Sequence, residues 1–170
     1  MSTEPAQPMR FEKANCLVLA CGNTLRSDDG IGPRLAEWAA QRFRNDSNVR
    51  VVARQQWTPD LAKDIADADS VLFVDSSVSS APGHVRLTPV APHSSNSADA
   101  TSHPATHHID PPELLGLTRE LYGSLSAHAM LLTVGAGSME LGETFSESVE
   151  AAIPRARGVL EKAVLRFLDN

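Results

Sequence analysis

The sequence predicts an α/β chain: a three-layer α/β/α sandwich built on a twisted, mixed, mostly parallel sheet. Three observations carry this. Short unbroken apolar runs recur at residues 16–20, 71–74 and 130–134, and runs of that length mark strands buried on both faces. Segments with helical spacing of apolar residues fall between them, and strands alternating with helices form a parallel sheet covered on both sides. Residues 85–88 alternate apolar and polar after a short Ala81-Pro82-Gly83 turn. That pattern is an edge strand reached by a tight connection, which makes the sheet mixed.

In chain order, residues 1–14 are polar, contain Glu4, Pro5 and Pro8, and read as a loose arm. They lack the apolar stretch of a signal peptide, which favours the cytoplasm. Residues 15–170 read as a single domain. The first strand (16–20) ends in a polar turn, and a helix follows with Pro33 in its first turn and Ile31, Leu35, Trp38 and Ala39 as its apolar stripe. Residues 49–53 read as the second strand. Thr58 is the expected N-cap of the next helix, with Pro59 at its first position and Leu61, Ala62 and Ile65 facing inward. The strand at 71–74 delivers Asp75 to its carboxyl end. Residues 91–106 are rich in Ser, Ala, Asn, His and Pro and read as a low-complexity loop. A helix over 111–122 carries Leu114, Leu115, Leu117 and Leu121. After the strand at 130–134, Ser146 caps a final helix whose buried side is Val149, Ile153, Leu160, Val164 and Phe167. Pro154 lies inside that helix and is expected to kink or split it.

Composition removes whole classes of function. The chain has 170 residues and a formal net charge of −6. Its basic residues are scattered, which argues against nucleic-acid binding, because phosphate contacts need clustered Lys and Arg. The longest apolar runs are strand-length, far short of the ~20 residues of a membrane span. Cys16 and Cys21 do not form a C-x-x-C pair, and their odd spacing on one strand points them to opposite faces, as reduced core residues.

Chemistry concentrates in three places. The loop from Gly22 to Gly32 is neither a dinucleotide fingerprint nor a P-loop, and the adjacent Asp28 and Asp29 at a helix N-terminus would repel a phosphate. No nucleotide is therefore expected. Their oxygens either suit a cation or only cap the helix. Asp75 faces the same region from the end of a buried strand, or else forms a turn before Ser76-Ser77. The pair His107-His108 precedes a helix, and imidazole with carboxylates makes a mixed N/O metal site. His84, His93, His103 and His128 have weaker context. The zinc-protease H-E-x-x-H and the serine G-x-S-x-G signatures are both missing.

These residues together resemble a known family, the maturation proteases of nickel-iron hydrogenases. G-N-T-L-R-S-D-D-G-I-G, from Gly22 to Gly32, is similar to the family's opening motif. Phe73-Val74-Asp75 resembles the second, an acid after a buried strand. His107 followed by Ile109, Pro111, Leu114 and Leu115 resembles the third. Thr133 to Gly135, Met139 to Gly142 and Phe145-Ser146 resemble its C-terminal stretch. The likeness runs over about residues 15–168. The family pattern is broken where Asp29 replaces a common Glu, where Ser76 follows Asp75 in place of a common Ala, and where His108 stands beside His107.

The resemblance implies a phosphorylase/hydrolase-like α/β/α sandwich and an endopeptidase. Its substrate is the nickel-loaded precursor of a hydrogenase large subunit, from which it removes a C-terminal peptide. By position, Asp29, Asp75 and His107 become the metal-binding and catalytic residues, with His108 the alternative to His107. Nickel arrives with the precursor, and its ligands either dock the scissile bond or assist the chemistry, with Asp29 as an alternative general base. Asn23 is a candidate for binding substrate. Two other readings compete: a nickel-dependent assembly or checkpoint protein that binds the large subunit without cutting it, and a small-molecule metallohydrolase.

Overall fold

The computed structural model describes residues 14–93, 109–123, 125 and 128–169. Five strands form one sheet: β1 (Ala14–Cys21), β2 (Val49–Arg54), β3 (Ala68–Ser77), β4 (Val85–Pro89) and β5 (His128–Gly135). Their order is β2-β1-β3-β5-β4. All pairings are parallel except β4 with β5, which is antiparallel at the edge. The mixed, mostly parallel sheet expected from the sequence is thus present. Among the described residues four α-helices cover it: α1 (Ile31–Arg42), α2 (Leu61–Ala66), α3 (Pro111–Tyr122) and α4 (Glu147–Leu168).

Alternation along β1 builds two cores. Cys16, Val18 and Ala20 pack with Leu35 and Ala39 of α1 and with Ile153 and Leu160 of α4. Leu17, Leu19 and Cys21 face the other way, onto Leu61 and Ile65 of α2 and Leu114 and Leu115 of α3. The period of two in a strand sets this division. The two cysteines therefore lie in different cores, each as a free thiol. Burial pushes both thiols up to about 12, helped at Cys16 by Asp46 and at Cys21 by Asp75 and Asp29. Neither is a ready nucleophile.

Several expectations need revision. Thr58 does not cap α2: the helix starts at Leu61 with Asp60 at the cap position and no side-chain cap bond. The backbone of 58–63 instead forms three tight i→i−3 bonds, from Leu61 to Thr58, Ala62 to Pro59 and Lys63 to Asp60. Pro59, which fixes its own φ, suits that turn as well as a first helical turn. Pro154 does not split α4, which is continuous over 22 residues. Pro154 is on the exposed side of the helix. By contrast α3 begins and ends where the sequence placed it. Asp110 and Glu113 close a reciprocal capping box, and Gly123 ends the helix in the left-handed region at φ 67°. No helix among the described residues is long and apolar enough to cross a membrane.

The strand order places the site. From β1 the chain moves outward to β2, then returns to the other side of β1 to form β3. The order reverses between β1 and β3, and the crevice beyond their carboxyl ends is where open α/β sheets bind ligands.

Candidate functional site

An open cleft of about 420 Å³ lies at that reversal point. Asp29 and Asp75 line it together with Cys21, Asn23, Arg26 and Trp57, and Ile109, Asp110 and Pro111 at the start of α3 form its far wall. The cleft exists because β1 turns into α1 with very little room. Gly22 sits at φ +150°, and a Cβ there would lie 1.9 Å from the carbonyl oxygen of Asp29. A Cβ on Gly32 would lie 2.0 Å from the carbonyl oxygen of Cys21. Only glycine allows both approaches.

Asp28 and Asp29 are neighbours with opposite fates. They sit on a short 3-10 turn, Ser27–Gly30, just before α1. Asp28 is fully buried. Its Oδ2 accepts hydrogen bonds from Gly137 N (2.7 Å), Ser138 N (2.8 Å) and Ser146 Oγ (2.7 Å). Its Oδ1 accepts one from Ser146 N at 2.7 Å. Burial works to raise its pKa, but the bonds from Ser146, Ser138 and Gly137 outweigh that and hold the carboxyl below its usual range. Ser27 completes the clamp at φ 46°, a costly conformation for a residue with a Cβ. Its N donates to Gly142 O at 2.7 Å and its Oγ to Glu140 O at 3.0 Å. Asp28 thus fastens the first loop to the segment leading into α4.

Asp29 turns into the cleft instead. Its Oδ2 accepts from the backbone N of Asn23 at 2.8 Å, and its Oδ1 from Ser76 Oγ at 2.9 Å. Asp75 is still within β3, paired with Thr133 of β5, so it is not a turn residue. Its Oδ1 accepts from Ser76 N at 2.8 Å and its Oδ2 from Trp57 Nε1 at 3.3 Å. Trp57 is held by an edge-on contact with Phe73, ring centres 5.6 Å apart. Burial pushes the Asp75 carboxyl up to about 7; the Ser76 backbone bond opposes this, the nearby Asp29 charge adds to it, and the Trp57 bond again opposes it. Among the described residues neither Asp29 nor Asp75 takes part in an ion pair.

Two carboxyls facing one cleft, neither in an ion pair among the described residues, favour a cation between them. Each of the four carboxylate oxygens here accepts one hydrogen bond and retains a lone pair. Oxygen donors of this kind, completed by imidazole, fit a divalent metal.

His107 and His108 lie outside the described residues. The described chain resumes at Ile109, on the wall of the cleft. Asn23 lines the cleft, but its Oδ1 is committed to Leu25 N at 2.9 Å. Sequence reasoning missed Trp57 and the bridging part of Ser76. It also set His93 aside, yet His93 lies beside Asp110 and Glu113 with ligand atoms within 4.8 Å of one another. Both of those acids are exposed and engaged in the α3 cap. No signal in the sequence links His93 to a helix that starts 18 residues later.

Comparison with solved structures gives one consistent result. The chain superposes on the hydrogenase maturating endopeptidase HybD from E. coli with a TM-score of 0.70, at 23% identity, over 89% of this chain and 92% of that one. The [NiFe] hydrogenase maturation protease HybD from Thermococcus kodakarensis gives 0.65 at 22% identity, over 87% and 97%. The hydrogenase 2 maturation peptidase from a Thaumarchaeota archaeon gives 0.61 at 24%, over 88% and 97%. The chain has the fold of these proteins. No protein-family model and no curated protein sequence matches it.

Proposed function

We propose that this chain is an endopeptidase that removes a C-terminal peptide from the nickel-loaded precursor of a nickel-iron hydrogenase large subunit. The observation that carries the reading is the meeting of Asp29 and Asp75 at the strand-order reversal, joined by hydrogen bonds through Ser76 and, among the described residues, in no ion pair. The fold held in common with hydrogenase maturation proteases supports it.

In this reading nickel is part of the substrate. Asp29, Asp75 and His107 complete its coordination, with His108 the alternative to His107, and this binding selects precursors that already carry the metal. Asp29 and Asp75 offer their remaining lone pairs, already oriented by Asn23 N, Ser76 and Trp57. The amide nitrogen of Asn23 is the end of that side chain left to meet the substrate backbone. The cleft is open, which suits a protein substrate better than a small one that must be enclosed. With both thiols held protonated and no serine elbow, the groups among the described residues able to move a proton at the scissile bond are the two carboxyls, with His107 the further candidate from the sequence.

The test uses purified protein and a matched large-subunit precursor, prepared with and without nickel, with peptide release followed by mass spectrometry. Release only from the nickel-loaded form is the expected result. Cutting of both forms keeps the endopeptidase and removes nickel as the recognition element. Binding without release supports the checkpoint reading instead.

A further inference from the structure

We infer that Ser76 is a positioning residue that locks Asp29 and Asp75 into one preorganised ligand pair. The inference deepens the proposed function and rests on its reading that both carboxylates face a divalent metal.

Ser76 touches both acids, by different parts of itself. Its backbone N donates to Asp75 Oδ1 at 2.8 Å, and its hydroxyl donates to Asp29 Oδ1 at 2.9 Å. The two acids come from elements 46 residues apart in sequence, and Ser76 joins them directly. The backbone half of the bridge is available to any residue at position 76. The hydroxyl half requires Ser or Thr. Ser76 is itself held in register, opposite Val134 of β5, so the hydroxyl projects from a hydrogen-bonded strand rather than from a loop.

Without the hydroxyl, Asp29 keeps a single partner, the backbone N of Asn23. Its carboxylate then regains rotation about its last torsion, a broad one in Asp. A ligand that must be ordered as metal binds gives a weaker site than one already in place. Loss of a supporting hydrogen bond to a ligand typically weakens metal binding about ten- to a hundredfold. Asp75 loses nothing directly, since its partners are the Ser76 backbone and Trp57. The hydroxyl's effect should therefore appear in affinity and leave folding alone: Ser76 is half-buried at the cleft, and alanine there creates no large cavity.

The experiment titrates the purified full chain with Co²⁺, reading its visible absorption bands and the binding isotherm, and records thermal melts without metal. Four proteins are compared: wild type, Ser76→Ala, Ser76→Thr and the double variant Asp29→Asn/Asp75→Asn. The expected result is binding by wild type, none by the double variant, about ten- to a hundredfold weaker binding by Ser76→Ala with an unchanged melt, and near-wild-type binding by Ser76→Thr. Equal affinity of Ser76→Ala and wild type, with the double variant still silent, overturns the role of Ser76 and leaves the metal reading standing. A melt lowered equally in the Ala and Thr variants assigns Ser76 to the fold and overturns it too. If the double variant binds Co²⁺ as tightly as wild type, the carboxylates are not the ligands, and the metal reading falls together with the inference.

Discussion

Asp28 and Asp29 are the same residue type, one peptide bond apart, and the fold uses them for opposite purposes. Asp28 is sealed from water and saturated with hydrogen bonds, four of them to a single distant segment. Asp29 is half-buried, has two hydrogen bonds, and opens toward a second acid. The first is an anchor for two loops; the second is free to meet a ligand because the first has fixed the turn that carries it. A carboxylate sealed from water by its own internal donors cannot meet a ligand, whereas one facing a cleft and held at a single point per oxygen is oriented yet still available.

That contrast can be broken by substitution. Asp28→Ala removes the acceptor from four donors on Gly137, Ser138 and Ser146, and each such group left without a partner costs about 1–3 kcal/mol. A large fall in the urea or thermal midpoint is expected, with α4 loosened at its start. A loss below about 1 kcal/mol would show that the clamp is not holding the loops together. Gly32→Ala comes next. Its Cβ meets backbone at 2.0 Å, so the β1–α1 connection must shift, with an expected loss of about 1–3 kcal/mol in the same measurement. Ser146→Ala removes both the N-cap of α4 and one donor to Asp28, for about 1–2 kcal/mol. Asp29→Asn should change stability least, by under about 0.5 kcal/mol or with a small gain, because it relieves repulsion with Asp75.

Acid sharpens the same comparison. Asp28 is held below its ordinary pKa of 3.8 in the folded chain, so its contribution to stability is present above that value. It is lost as pH falls through the lower folded-state pKa. The stability gap between wild type and Asp28→Asn should therefore be constant near neutrality and narrow below about pH 4. A gap that widened on acidification would reverse the sign of the argument.

The sequence made the strands easy to place, because Leu17, Val18 and Leu19, or Val71 through Val74, leave no polar face for any other structure. It located α3 from Leu114, Leu115, Leu117 and Leu121, and the structure adds the local signals at its ends, the Asp110–Glu113 capping box and Gly123. It misplaced the start of α2, where Pro59 satisfies a tight turn and a first helical turn equally well. The division of labour between Asp28 and Asp29 was not legible from local pattern, since the donors to Asp28 lie 109 to 118 residues further along. The bridging hydroxyl of Ser76 and the indole of Trp57 were hidden for the same reason: each is defined by what strand order brings beside it. Asp75 was visible as an acid at a strand end, but its continued pairing with β5 was not.

The most direct test of the account gives a nickel-loaded large-subunit precursor to wild type, Asp28→Asn, Asp29→Asn and Asp75→Asn, each shown to be folded, and follows peptide release by mass spectrometry. The account predicts that Asp29→Asn and Asp75→Asn each lose at least about a hundredfold in release rate, while Asp28→Asn cuts nearly as fast as wild type wherever it is folded. Unimpaired release by Asp29→Asn and Asp75→Asn would contradict it, because the two carboxylates in the cleft would then have no part in the reaction.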